Sequence, residues 1–123
     1  MSLSEPLGGL FAKPYEEIRA LEVMSRMDTG AILVDVREPA EWAAGRAEGA
    51  WHIPLAQLGQ RQGELPVGRP VITVCRSGAR SARAATLLAE QGADASNLDD
   101  GMRAWAAAGL PVVTEGGRPG AVI

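Results

Sequence analysis

The residues best placed to do chemistry lie in one short stretch, Cys75-Arg76-Ser77-Gly78-Ala79-Arg80-Ser81. Cys75 is the only cysteine in the chain and His52 the only histidine. An internal disulfide is therefore excluded, and one Cys with one His cannot close a tetrahedral zinc site. With no nucleotide-binding motif either, neither a metal nor a cofactor is expected. A thiol can still act alone as a nucleophile if it ionises below its free pKa of about 8.5. The residues after Cys75 supply the means. A loop that wraps into a helix N-terminus aims several backbone N–H groups at one point, and the helix dipole adds positive potential there. Gly78 can take a positive φ and let the backbone curl into such a nest. Arg76 and Arg80 can attract and hold an anion. A lone cysteine at a strand end is ordinarily a small buried hydrophobe. A structural cysteine, however, has no use for two arginines and a glycine nest. The pattern reads as a thiolate attacking something anionic, with the charged product held by backbone donors.

Such a loop needs a strand that stops at Cys75 and a helix that starts just beyond it. Val71–Val74 (VITV) is a short apolar run of the kind shown by a strand buried on both faces. Ser81–Gln91 (SARAATLLAEQ) reads as an alanine-rich amphipathic helix closed by Gly92. Ala31–Val36 (AILVDV) is a second buried strand. Pro39 then opens a short helix that Gly45 ends, with Glu38 serving its first turn. A short strand at Ala50–Ile53 stops at Pro54, and Leu55–Leu65 is weakly helical. Ala95–Leu98 reads as a further short strand and Gly101–Ala108 as a helix closed by Gly109. From Tyr15 to Met27 two readings stand: one long helix, or a strand at Glu17–Arg19 followed by a helix over Ala20–Met27. Strands alternating with helices at short spacing predict an α/β sandwich around a mainly parallel sheet. Ligands of such sheets bind beyond the carboxyl ends of the strands, where Cys75 lies. Residues 1–13 read as a loose N-terminal arm, 14–114 as one domain and 115–123 as a Gly/Pro-containing tail.

Composition bounds the function. The 123 residues are one domain's worth, and 46% hydrophobic residues are enough for a core. Twelve basic against fifteen acidic residues give a net charge of −3, which argues against nucleic-acid binding. No stretch approaches the roughly 20 apolar residues of a membrane span, so no membrane partner is expected. The N-terminus lacks a basic segment followed by an apolar run. A reduced, cytoplasmic protein is the expectation.

Taken in order, these motifs resemble the single-domain rhodaneses, a sulfurtransferase family. The likeness runs from Tyr15 to Val112. It is carried by DVREPAEW at Asp35–Trp42, GA…IP at Gly49–Pro54 and CRSGARS at Cys75–Ser81. The LxxGMxAW element at Leu98–Trp105 and GLPV at Gly109–Val112 complete it. The resemblance implies a single rhodanese-like domain with a five-stranded, mainly parallel sheet flanked by helices on both faces. It also implies that Cys75 takes a sulfane sulfur from thiosulfate or a persulfide, becomes a cysteine persulfide, and passes the sulfur to cyanide, a thiol or a protein acceptor. The N–H groups from Arg76 through Ser77, Gly78, Ala79 and Arg80 to Ser81 would cradle that persulfide, with Arg76 and Arg80 facing the donor. Asp35 and Arg37 would line or brace the pocket, and weigh more as a structural ion pair than as catalysts. Trp42, Trp51 and Trp105 read as core and pocket-wall packing.

The chain also departs from the family pattern. The usual Gly-His-Ile appears as Gly45-Arg46-Ala47, and His52, six residues on, reads as a packing or solvent-facing residue. Asp100-Gly101 replaces Gly-Gly before Met102, with Asp100 as an ordinary helix cap. The polar stretch Gly92–Leu98 suggests a weak or displaced strand. Two other functions compete. A phosphatase would need a loop one residue longer than the Cys75-to-Arg80 spacing. A non-catalytic module, or a persulfide carrier docking to a protein partner, would keep the fold without fast turnover.

Overall fold

The computed structural model describes residues 13–123, so the arm expected over 1–13 lies, apart from Lys13, outside the described residues. Two strands form the centre of the sheet, β2 (Ile32–Asp35) and β5 (Val71–Val74), and every residue of both is buried. Their side chains alternate between faces: Ile32, Val34 and Val71 pack on one side, Leu33, Ile72 and Val74 on the other. That double burial is why both segments are continuous apolar runs.

The remaining strands are β1 (Glu16–Ile18), β4 (Trp51–His52) and β6 (Ala95–Leu98). The sheet runs β1-β6-β5-β2-β4, with every neighbouring pair parallel. Helices α1 (Ala20–Asp28), α2 (Pro39–Ala44), α3 (Leu55–Arg61), α4 (Ala79–Glu90) and α5 (Gly101–Ala107) make the connections. Leu58 of α3 and Ala84, Ala85 and Leu88 of α4 fill one core; Val23 of α1 and Met102 and Trp105 of α5 fill the other. The expected five-stranded sheet with helices on both faces is therefore the architecture.

One open choice is resolved and three expectations need correction. Between Tyr15 and Met27 the strand-then-helix reading holds, and the long helix does not form. Helix α4 starts at Ala79, two residues before the expected Ser81, because Gly78 already turns the chain with φ 106°. Strand β6 is neither weak nor displaced: it pairs with both β1 and β5. Its polar residues are buried at little cost because each has a partner. Arg26 donates to Ser96 Oγ (3.3 Å), and Asn97 Nδ2 donates to Glu17 Oε1 (3.2 Å) and to Gly78 O (3.2 Å). Of the three tryptophans only Trp105 is in the core; Trp51, on edge strand β4, is 40% exposed.

A second, two-stranded antiparallel sheet joins β3 (Arg46–Ala47) to β7 (Val112–Val113). After a turn at Glu115–Gly117 the chain returns over α2: Gly120 N–H donates to Val112 O (2.8 Å) and Ala121 N–H to Ala44 O (2.9 Å). The crossing is backbone on backbone. A Cβ on Gly45 would lie 2.5 Å from Ala121 O, and one on Gly120 would lie 2.8 Å from Ala44 O. The last residues thus lie across the carboxyl end of the sheet.

Candidate active site

Cys75 follows β5 directly, and its sulfur points back into the turn that leads to α4. Gly78 N–H donates to Cys75 Sγ (3.1 Å) and Ser81 Oγ donates to the same sulfur (3.3 Å). The left-handed φ of Gly78 is what lets the chain reverse tightly enough to aim these groups inward. Burial of the thiol, only 1% exposed, works against ionisation. The Ser81 hydroxyl and the N–H groups of Ser81, Gly78 and Ser77 work the other way and together prevail, so the thiol lies below its ordinary value. The sulfur is thus built to carry negative charge.

The loop is held from behind by groups that sequence reasoning missed. Thr73 Oγ1 donates to Ser81 O (2.8 Å), tying the strand before Cys75 to the first turn of the helix after it. Asn97 on β6 holds Gly78 O, as described above. Two N–H groups opening α5 take the loop's own carbonyls: Met102 N–H donates to Cys75 O (2.8 Å) and Arg103 N–H to Arg76 O (3.1 Å). This fit depends on Gly101, where φ is 54° and a Cβ would come 2.2 Å from Cys75 O. Asp100 does stand at the N-cap position, but in a left-handed conformation (φ 59°) and without a side-chain capping bond. The Asn97 signal was present in the sequence as a polar residue in a strand; what it satisfies depends on tertiary position.

Arg76 and Arg80 have different partners. Arg76 is exposed at the rim and donates from Nε to Ile123 O (3.0 Å). Arg80 is engaged at both ends of its guanidinium by Glu41, at 2.7 and 2.9 Å. The Arg80 hydrogen bonds hold the Glu41 carboxyl down at about 2 despite its burial, and Glu41 raises Arg80 in turn. Glu41 also accepts from Glu38 N–H (3.1 Å), completing a capping box on α2. Ser77 and Ala79 are exposed at the rim, while Ser81 is buried.

Asp35 and Arg37 are fully buried and face each other. Arg37 Nε lies 2.9 and 3.0 Å from the two Asp35 oxygens, and Nη2 donates to Asp35 (2.7 Å) and to Gly45 O (2.8 Å). They brace the end of β2 against the segment entering β3. His52 Nε2 donates to Arg37 O (2.8 Å), and the ring stacks on Trp42 at 4.6 Å with a 6° tilt. Arg46, standing where the family carries histidine, lies 4.5 Å from the Trp42 ring centre. A cavity of about 360 Å³ lined by Leu65, Val71, Leu88 and Asp94 opens at the amino end of β5, away from the thiol.

The family model for the rhodanese-like domain matches residues 19–108. A sulfurtransferase from Allochromatium vinosum is 44% identical over 87 residues, covering 70% of this chain and 81% of its own. The thiosulfate sulfurtransferase GlpE of Haemophilus influenzae is 32% identical, over 82% of this chain and 97% of its own. An HTH-type transcriptional regulator from Mycobacterium tuberculosis is 36% identical over 84% of this chain, which spans 47% of that relative's length. Among solved structures, a rhodanese-related protein from Thermoplasma volcanium superposes with a TM-score of 0.77 at 29% identity, over 82% of this chain and all of its own.

Proposed function

The chain belongs to the rhodanese-like domain family, and from that premise we propose that it is a sulfurtransferase whose Cys75 carries the sulfur as a persulfide. The observation that carries the reading is the buried sulfur accepting from Gly78 N–H and Ser81 Oγ. The Cys75 thiolate attacks the outer sulfur of thiosulfate or of a persulfide. A new S–S bond forms, the donor's S–S bond breaks, and sulfite or the donor thiolate leaves with the bonding pair. The N–H groups between Arg76 and Ser81 hold the charge on the new outer sulfur. Cyanide, a thiolate or a protein thiolate then attacks that outer sulfur, and Cys75 is returned as the thiolate. Arg76 meets the anionic donor at the rim, Arg80 does so in company with Glu41, and Asp35 and Arg37 brace the pocket from below.

No helix among the described residues is long and apolar enough to cross a membrane. A reduced compartment, the cytoplasm, suits an unpaired thiol. The experiment is direct. Incubation of the intact protein with thiosulfate should add the mass of one sulfur atom, and Cys75→Ser should abolish the gain. A wild-type protein that gains sulfur from neither thiosulfate nor a singly charged thiosulfonate or persulfide donor, or a serine variant that still gains sulfur, overturns the mechanism. Thiocyanate formation on adding cyanide then separates a turning-over enzyme from a carrier that loads but waits for a protein acceptor.

A further inference from the structure

The charges around the loop do not favour the donor that the sulfur-transfer reading first brings to mind. On one side, Arg80 is paired at two points with Glu41. The Glu41 carboxylate neutralises the Arg80 guanidinium, so that side offers no free positive charge. On the other side stands Arg76, turned toward the carbonyl of Ile123. Arg76 is the positive charge left at the rim, and the thiolate opposes it. The chain as a whole, at −3, offers no long-range pull on an anion. Thiosulfate, a dianion, therefore meets an Arg80 whose charge Glu41 has already neutralised.

We propose that Glu41 is a specificity-determining residue, which turns the site away from doubly charged sulfur donors and toward singly charged ones such as thiosulfonates and persulfides of uncharged thiols. The proposal rests on the sulfur-transfer reading and adds the class of donor to it. Geometry supports it in two ways. Cys75 is 1% exposed, so the donor presents its outer sulfur end-on and leaves its charged remainder at the rim, where Arg76, Arg80 and Glu41 stand. Glu41 is also fixed rather than free to swing away: it is tied to Glu38 N–H as well as to both Nη atoms of Arg80.

A well-matched pair of probes exists. Methanethiosulfonate is thiosulfate with one oxygen replaced by methyl, so it keeps the transferable sulfur at similar size and loses one charge. Its reaction balances in the same way: the thiolate attacks the outer sulfur and methanesulfinate departs with the bonding pair. Coulombic repulsion scales with the product of the charges, so Glu41 penalises the dianion twice as strongly in free energy. In fold-change, the effect on thiosulfate is the square of the effect on methanethiosulfonate.

The test uses Glu41→Gln, because glutamine keeps the capping-box role and an acceptor for Arg80 while removing the charge. The second-order rate of sulfur loading, followed by intact mass, should rise about tenfold for thiosulfate and about threefold for methanethiosulfonate. Adding Arg80→Gln to the first change removes both charges of the pair and should return the two rates toward their wild-type ratio. Equal changes for the two donors, no change for either, or a double variant that keeps the altered ratio would overturn the proposal. Failure of wild type to gain sulfur from either donor would instead overturn the sulfur-transfer reading itself.

Discussion

Replacing Ser81 by alanine removes one donor from the thiol and little else. Ser81 is fully buried, and its hydroxyl lies 3.3 Å from both Cys75 Sγ and Gly78 O. Gly78 O keeps its bonds from Ala82 N–H (3.0 Å) and Asn97 Nδ2 (3.2 Å), so no acceptor is orphaned. Alanine is also the better helix former in the first turn of α4. The fold should survive with a stability change within about 1 kcal/mol at neutral pH. The thiolate, by contrast, loses a hydrogen bond to a charged group, a class of interaction contributing about 1.5–3 kcal/mol. Sulfur is a weak acceptor and the bond is long, so the low end applies: the thiol moves up, and alkylation at neutral pH slows by about tenfold. The backbone donors stay in place and limit the rise. The assay is the rate of iodoacetamide alkylation against pH, read by intact mass. The sign also reaches stability. A thiol depressed in the folded state contributes stability above its unfolded value and loses it as pH falls through the folded value. The stability gap between wild type and Ser81→Ala should therefore widen at alkaline pH. An unchanged alkylation midpoint, or a lower one, would refute the view that the hydroxyl supports the thiolate.

Two further outcomes follow from the same geometry. Gly101→Ala places a Cβ 2.2 Å from Cys75 O at a residue with φ 54°, a combined clash and backbone cost of about 3 kcal/mol or more. Thermal unfolding should come roughly 10 °C earlier, with a higher thiol alkylation midpoint, and a variant unchanged in both would show that α5 does not hold the loop. The Glu41 carboxyl is lowered from 4.5 to about 2, chiefly by hydrogen bonds from Arg80. Its contribution to stability is present above about pH 4.5 and is lost as the pH falls toward about 2, so urea midpoints of wild type and Glu41→Gln should converge at acid pH; a gap that stays constant with pH would remove the ion pair from the stability of this domain.

The parts of this molecule that were legible from sequence are those whose pattern is local. AILVDV and VITV announce buried parallel strands because burial on both faces leaves no polar alternation. Gly78 announces a reversal because few other residues tolerate its φ. The ambiguous start at Tyr15–Met27 could not be settled locally, since a three-residue strand carries too little periodicity to compete with a helix. Strand β6 misled for a related reason. Ser96 and Asn97 look wrong for a sheet interior until Arg26, Glu17 and the Gly78 carbonyl are brought beside them. The pairing of Glu41 with Arg80 spans 39 residues and joins two helix first turns, so no local pattern could separate the tasks of Arg76 and Arg80. The antiparallel pair β3–β7 consists of two-residue strands and depends on Gly45 and Gly120 letting backbones touch, which spacing alone cannot reveal.

The hydrogen bonds from Met102 and Arg103 to the carbonyls of Cys75 and Arg76 also set an order of events during synthesis. Residues 101–107 leave the ribosome later than Cys75 by on the order of a few seconds at about 5–20 residues per second. Until they dock, the thiol's turn is held from behind only by Thr73 and Asn97. The final two bonds that fix the loop's carbonyls are thereby added last, when α5 comes into place.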